Sequence, residues 1–168
     1  MKRKIDFEKL VPPGYNYKKE ISVYVLWLAL AVMKSCGFFI RCEDHIYGLY
    51  HFIGESKILI EGVMMPDIDV IMEQDLIGFP LFTVVAIATV IIHYMYHYQE
   101  SKSIYLMRRL PKRMELHRRC WILPTTALLI VMVIAFLMLI AFYGYYMIMT
   151  PEACIAPNQW QKLWRGLL

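Results

Sequence analysis

His93 and His97 stand four residues apart, the spacing that puts two imidazoles on one helix face and that helical metal and haem ligand pairs use. A four-coordinate metal needs further ligands, and the sequence has no HExxH, no second HxxxH and no Cys-x-x-Cys. No metal and no cofactor is therefore expected. The same run, His93, Tyr94, Tyr96, His97 and Tyr98, fits the aromatic belt of a membrane boundary, where each ring keeps one wet edge. Lys34 is the second residue that stands out, an ammonium within an apolar run. An intramembrane charge points to function by default. Its long stem also allows the charge to snorkel toward the boundary where Arg41 sits. Lys34, His93 and His97 are thus the residues from which a polar site inside the apolar segments would be built. No nucleophile and base with an orienting group are apparent, so the chain is not read as an enzyme.

The elements that carry these residues follow from composition. Of 168 residues 59% are hydrophobic and 19% charged, against about 45–50% and a quarter in soluble proteins. The excess sits in three stretches, 21–40, 76–98 and 121–150, of which the last two contain no Asp, Glu, Lys or Arg. A bilayer core needs roughly 20 apolar helical residues. The expected fold is an all-α integral membrane protein of three transmembrane helices, a single membrane domain over 1–168. A disordered tail, a disulfide-stapled secreted module and a soluble enzyme are excluded. Asp75, Gly78 and Pro80 predict a kink or short turn where the second helix begins, and Pro124 falls in the first turn of the third.

Charge sets the expected orientation. Residues 1–20 carry six basic groups against three acids, the loop 41–75 two against eight, and the loop 99–120 seven against two. Lys and Arg are retained on the cytoplasmic side of short loops. The N-terminus and 99–120 are therefore expected in the cytoplasm, 41–75 and the C-terminus outside, in a multi-pass protein of the cell membrane. No cleaved signal is apparent, because the first apolar run starts late and exceeds the ~7–15 residues of a signal core. The stub 1–20 and the tail 151–168, with Trp160, Leu163, Trp164 and Leu167 at helical spacing, read as interfacial segments. Cys42 and Cys154 would share the outer side, where they either pair or stay free.

Between the second and third stretches runs ESKSIYLMRRLPKRMELHRRC, residues 100–120. Ile104, Tyr105, Leu106, Met107 and Leu110 form an apolar face among basic residues, Ser103 can cap the first turn, and Pro111 stops the helix. Such a helix lies on an anionic membrane surface or plugs into a groove on a soluble partner. The pattern Glu100, Ser103, Leu106, Met107, Leu110, Pro111, followed by basic residues and a span, resembles the cytoplasmic coupling helix of ABC-2-type permeases. These are membrane subunits of one class of ABC exporters. The likeness extends in layout over most of the chain, as far as the N-terminal half of such a permease. About six spans are usual in that family against three here, and Arg108 and Arg109 replace its small or polar residues before the Leu-Pro.

The resemblance implies a half-permease or permease-derived accessory subunit. It would dock on a P-loop ATPase through Glu100, Ser103, Tyr105, Leu106, Met107, Arg108, Arg109, Leu110 and Pro111. The ATPase must act in trans, since this chain has no G-x-x-x-x-G-K-[ST] loop of its own. The other expected partners are membrane lipids and either a second copy or another multi-span permease chain, because polar groups within spans prefer protein neighbours. Nucleic acid is not expected, with the basic cluster so close to the membrane. The competing reading is a small membrane adaptor or regulator without a transport pathway, its basic loop binding anionic lipid.

Overall fold

The computed structural model describes residues 16–53, 56–60, 62–99 and 114–165. Three segments in it are helical, long and apolar enough to cross a membrane: Tyr17–Gly48, Asp75–Tyr96 and His117–Met149, with mean hydropathies of 1.9, 2.3 and 2.8. The first consists of α1 (Tyr17–Ser35) and α2 (Gly37–Gly48). They meet at Cys36, whose amide is shared between the carbonyls of Val32 and Met33 at 3.1 and 3.2 Å. The cause lies one residue earlier. The Ser35 hydroxyl bonds back to the Ala31 carbonyl (2.9 Å) and also contacts the Asp75 carbonyl (3.1 Å), a competition with the helix ladder that bends helices.

The stretch 41–75, expected as a loop, is largely structured. α2 runs on to Gly48, and β1 (Tyr50–Ile53) then pairs antiparallel with β2 (Ser56–Leu59) in the register Tyr50↔Leu59. These two strands depart from an all-helical chain. Charge counting concealed them, because only eight residues take part. α3 (Ile68–Met72) follows, then a 3-10 turn, Asp75–Ile77, where the Asp-Gly-Pro signal predicted a turn or kink. α4 (Gly78–Gln99), α5 (Met114–Met149) and α6 (Gln159–Arg165) complete the order. α5 begins seven residues before the expected span start, so Pro124 is an interior residue and not a first-turn one.

The chain divides into two compact units, Met1–Ala29 with Phe79–Met132 and Leu30–Gly78 with Val133–Leu168. The core of the first includes Tyr24, Phe82, Ala86, Val90 and Val131, with the Tyr24 and Phe82 rings 5.5 Å apart. In the second, Phe38 stacks on Phe142 at 4.2 Å, and Phe39 meets Phe142 and Tyr145 edge-on at 5.4 and 5.0 Å. The second unit also contains a buried carboxylate. Asp75 pairs with the Arg41 guanidinium, whose Nε donates to the Ile71 carbonyl at 3.0 Å. Cys42 and Cys154 are both buried free thiols. α6 docks on α3 through Asp67, which accepts from Lys162 Nζ (2.7 Å) and Gln159 Nε2 (3.0 Å). Gln159 Oε1 in turn accepts the Ile68 amide at 3.1 Å.

Gly78 permits a close backbone approach: a Cβ there would lie 2.8 Å from Ala31 Cα. Gly78→Ala is expected to destabilise the protein by about 1–3 kcal/mol. Gly48→Ala, which meets nothing within 4 Å, provides the control. Equal melting temperatures for the two variants in detergent would refute the close approach.

The Lys162 and Gln159 hydrogen bonds hold the Asp67 carboxyl below the usual carboxylate range. Its lowered folded value means the contribution is present above the unfolded carboxylate value of about 3.9 and is lost as pH falls through the folded one. Amide exchange at Ile68 should therefore accelerate, relative to the intrinsic rate, below about pH 4. In Asp67→Asn that acid-dependent step should vanish.

Candidate functional site

α1, α4 and α5 converge on a buried polar junction within the first unit. Glu20 lies on α1, with its carboxylate 2% exposed, and the His93 ring on α4 is wholly buried. His93 Nε2 is 2.9 Å from Glu20 Oε2, and Nδ1 is 3.0 Å from the Cys120 carbonyl on α5. The Tyr24 hydroxyl, one turn beyond Glu20, donates to Glu20 Oε1 at 2.8 Å.

The Cys120 carbonyl is available because of Pro124. A helical carbonyl accepts from the amide four residues on, and proline has none. The His93 Nδ1–H fills that vacancy. Since a carbonyl only accepts, Nδ1 must carry a proton. One further proton lies between Nε2 and the Glu20 carboxyl, on one atom or the other. In both arrangements the pair is neutral overall, which suits its apolar surroundings, where an unpaired ion would be severely penalised.

A second polar contact joins α4 and α5 nearer the segment 100–113. The Trp121 indole N–H donates to the Tyr94 hydroxyl at 3.1 Å, and that hydroxyl lies 2.7 Å from His117 Nδ1. An indole can only donate, so the Tyr94 oxygen accepts from it, and the direction of the bond between Tyr94 and His117 is set by the tautomer of the imidazole. α4 and α5 are thereby clamped on both sides of the 14 residues that connect them.

Of the residues singled out by sequence, His93 is at the centre of this junction. It is not a wet-edged belt residue; its neighbour Tyr94 takes the more exposed position, with His117 and Trp121. The His97 side chain lies outside the described residues. Lys34 belongs to the second unit, exposed and without an ion pair among the described residues. Glu100, Ser103, Tyr105, Leu106, Met107, Arg108, Arg109, Leu110 and Pro111 also lie outside the described residues. Among the described residues no group of three His, Cys, Asp or Glu could hold a metal.

Sequence reasoning missed Glu20, which was counted with the charged stub. Two signals pointed to it: Tyr24 stands four residues on at the start of an apolar run, and interior Pro124 leaves a carbonyl that needs a donor.

Glu20→Leu alone should destabilise the protein by roughly 3–5 kcal/mol, because it removes the carboxylate partner of a buried imidazole. Glu20→Leu combined with His93→Leu should recover only part of that loss, because the Cys120 carbonyl then goes without its donor. Thermal unfolding of the single and double variants in detergent measures both, and a single variant as stable as the parent would disprove the junction. Comparison of this chain with family models, curated proteins and solved structures found no match.

Proposed function

We propose that the chain is a three-span protein of the cell membrane, with its N-terminus and segment 99–120 in the cytoplasm and its C-terminus outside. In this reading it is the transmembrane subunit of an ABC-type exporter. A separate P-loop ATPase docks on residues 100–113, and the chain pairs with a second copy or another permease chain. Three helices of sufficient length and apolarity support membrane insertion, and the Lys/Arg distribution supports the orientation.

The observation that carries the reading is the clamp at the root of the coupling-helix-like segment. A docking loop transmits force only if its two flanking helices move with it. Here Tyr94, His117 and Trp121 bind α4 to α5, and His93 links both to Glu20 on α1. Closure of the ATPase around Leu106, Met107 and Leu110 would pull on 100–113, and the clamp would convey that pull to all three helices. Arg108, Arg109, Lys112 and Arg113 would meet acidic residues on the rim of the ATPase cleft.

Apolar anchors set in a groove carry more binding energy than rim charges do. Pull-down of tagged protein from native membranes should recover a P-loop ATPase. Leu106→Asp should abolish that recovery, and Arg109→Ala should weaken it more at low than at high salt, where the charge is already screened. Recovery of a membrane protein without an ATPase would replace this reading with that of an adaptor.

A further inference from the structure

The first unit has an apolar groove of about 420 Å³ beside its polar junction. Ile21, Val25 and Leu28 of α1 line it together with Ile122, Ala127 and Ile130 of α5. Its two polar side chains are already engaged. The Tyr24 hydroxyl donates to Glu20, and the Thr126 hydroxyl to the carbonyls of Ile122 and Leu123 at 2.8 and 2.9 Å. The groove therefore offers an occupant no free side-chain donor. Val25 and Ile130 remain 61% and 58% exposed, so the groove opens sideways, and beside a membrane-spanning helix that side is hydrocarbon. Its lining runs from Ile21 to Leu28 and from Ile122 to Val131, a length of about 11–14 Å at 1.5 Å per residue. The mean section is then about 35 Å², under half the ~80 Å² that a helix about 10 Å across fills. A single methylene chain fits: at about 30 Å³ for each water-sized group, the volume takes on the order of a dozen.

One end of the groove is basic. Glu20 and Cys120 both meet His93, so α1 and α5 start from the same level. Lys18 stands three residues before Ile21 and Arg118 four before Ile122, the spacings that make neighbours on a helix surface. Both cations are exposed and have no ion pair among the described residues. Glu20, the nearest acid along α1, is taken by His93 and Tyr24. Helical side chains lean toward the N-terminus, which carries both cations away from the apolar lining, toward the depth of lipid head groups. We propose that the groove binds one anionic phospholipid, with an acyl chain along α1 and α5 and its phosphate at Lys18 and Arg118. The lipid belongs to the leaflet where both helices begin. This site rests on the reading of these helices as membrane-spanning and is independent of ATPase docking.

Native mass spectrometry of the full chain tests it, after equilibration in detergent with phosphatidylglycerol and phosphatidylcholine of identical acyl chains. One lipid should remain bound, with phosphatidylglycerol preferred by roughly tenfold. Lys18→Gln combined with Arg118→Gln should erase that preference and leave the phosphatidylcholine adduct. Ala127→Phe should fill the groove and remove both adducts, whereas Leu129→Phe, on an exposed residue outside the lining, should keep them. Retention of each variant in vesicles through an alkaline wash is measured in parallel. Release of the parent chain by the wash would overturn the membrane reading and this site with it. Retention with equal binding of the two lipids, or with unchanged adducts in Ala127→Phe, would overturn the site alone. If Ala127→Phe does not fold, the double charge variant, which alters only exposed residues, decides. A dimer lost in Ala127→Phe, in place of a lipid adduct, would give the groove to a second copy and overturn the lipid assignment.

Discussion

A single missing hydrogen organises the first unit. Pro124 has no amide proton, so the Cys120 carbonyl inside α5 lacks its helical partner. An unsatisfied carbonyl in apolar surroundings is penalised by about 1–3 kcal/mol, and the nearest remedy is an N–H from a neighbouring helix. His93 supplies it from α4. With one ring nitrogen committed, the other faces Glu20 on α1, whose remaining oxygen is taken by Tyr24. Each contact in the chain is obliged by the one before it, and three apolar helices are held in register by groups that would be intolerable there singly.

The second unit solves a comparable problem with a full ion pair. Asp75 is buried at the start of the second apolar segment and is compensated by Arg41, which reaches it from α2. Arg41 can do so because the Ser35 hydroxyl intrudes on the helix ladder and divides α1 from α2 at Cys36. Gly37 and Gly78 provide the necessary room: a Cβ at Gly37 would lie 3.2 Å from Asp75 Oδ1. Polar pairing and small residues act together here, since neither brings backbones this close without the other.

The sequence made the long apolar helices legible because charge is absent from two of the three stretches and sparse in the first. The turn at Asp75 was legible from its Asp-Gly-Pro pattern. Other features were obscured by the same bookkeeping. Glu20 looked like the last residue of a charged lead because acids are counted by position along the chain, not by the helix face they occupy. The strands at Tyr50 and Ser56 disappeared into a segment judged by its eight acids. Their alternation spans only four residues each, too few to stand out. His93 was assigned to an aromatic belt with its neighbours, although its helical phase differs from that of Tyr94 by about 100°.

The dependence of His93 on Pro124 also has a consequence for how this chain can change over generations. A helix interior ordinarily tolerates proline poorly and welcomes its replacement. In this helix, restoring the amide would give the Cys120 carbonyl a partner of its own and leave the histidine donor redundant in a buried site. Loss of the histidine first would leave the carbonyl without its donor and the glutamate without its imidazole partner. The two positions are therefore epistatic, and substitutions at 93 and 124 are expected to travel together. That covariation gives a signature by which distant relatives of this chain can be recognised when their overall identity is too low to show kinship.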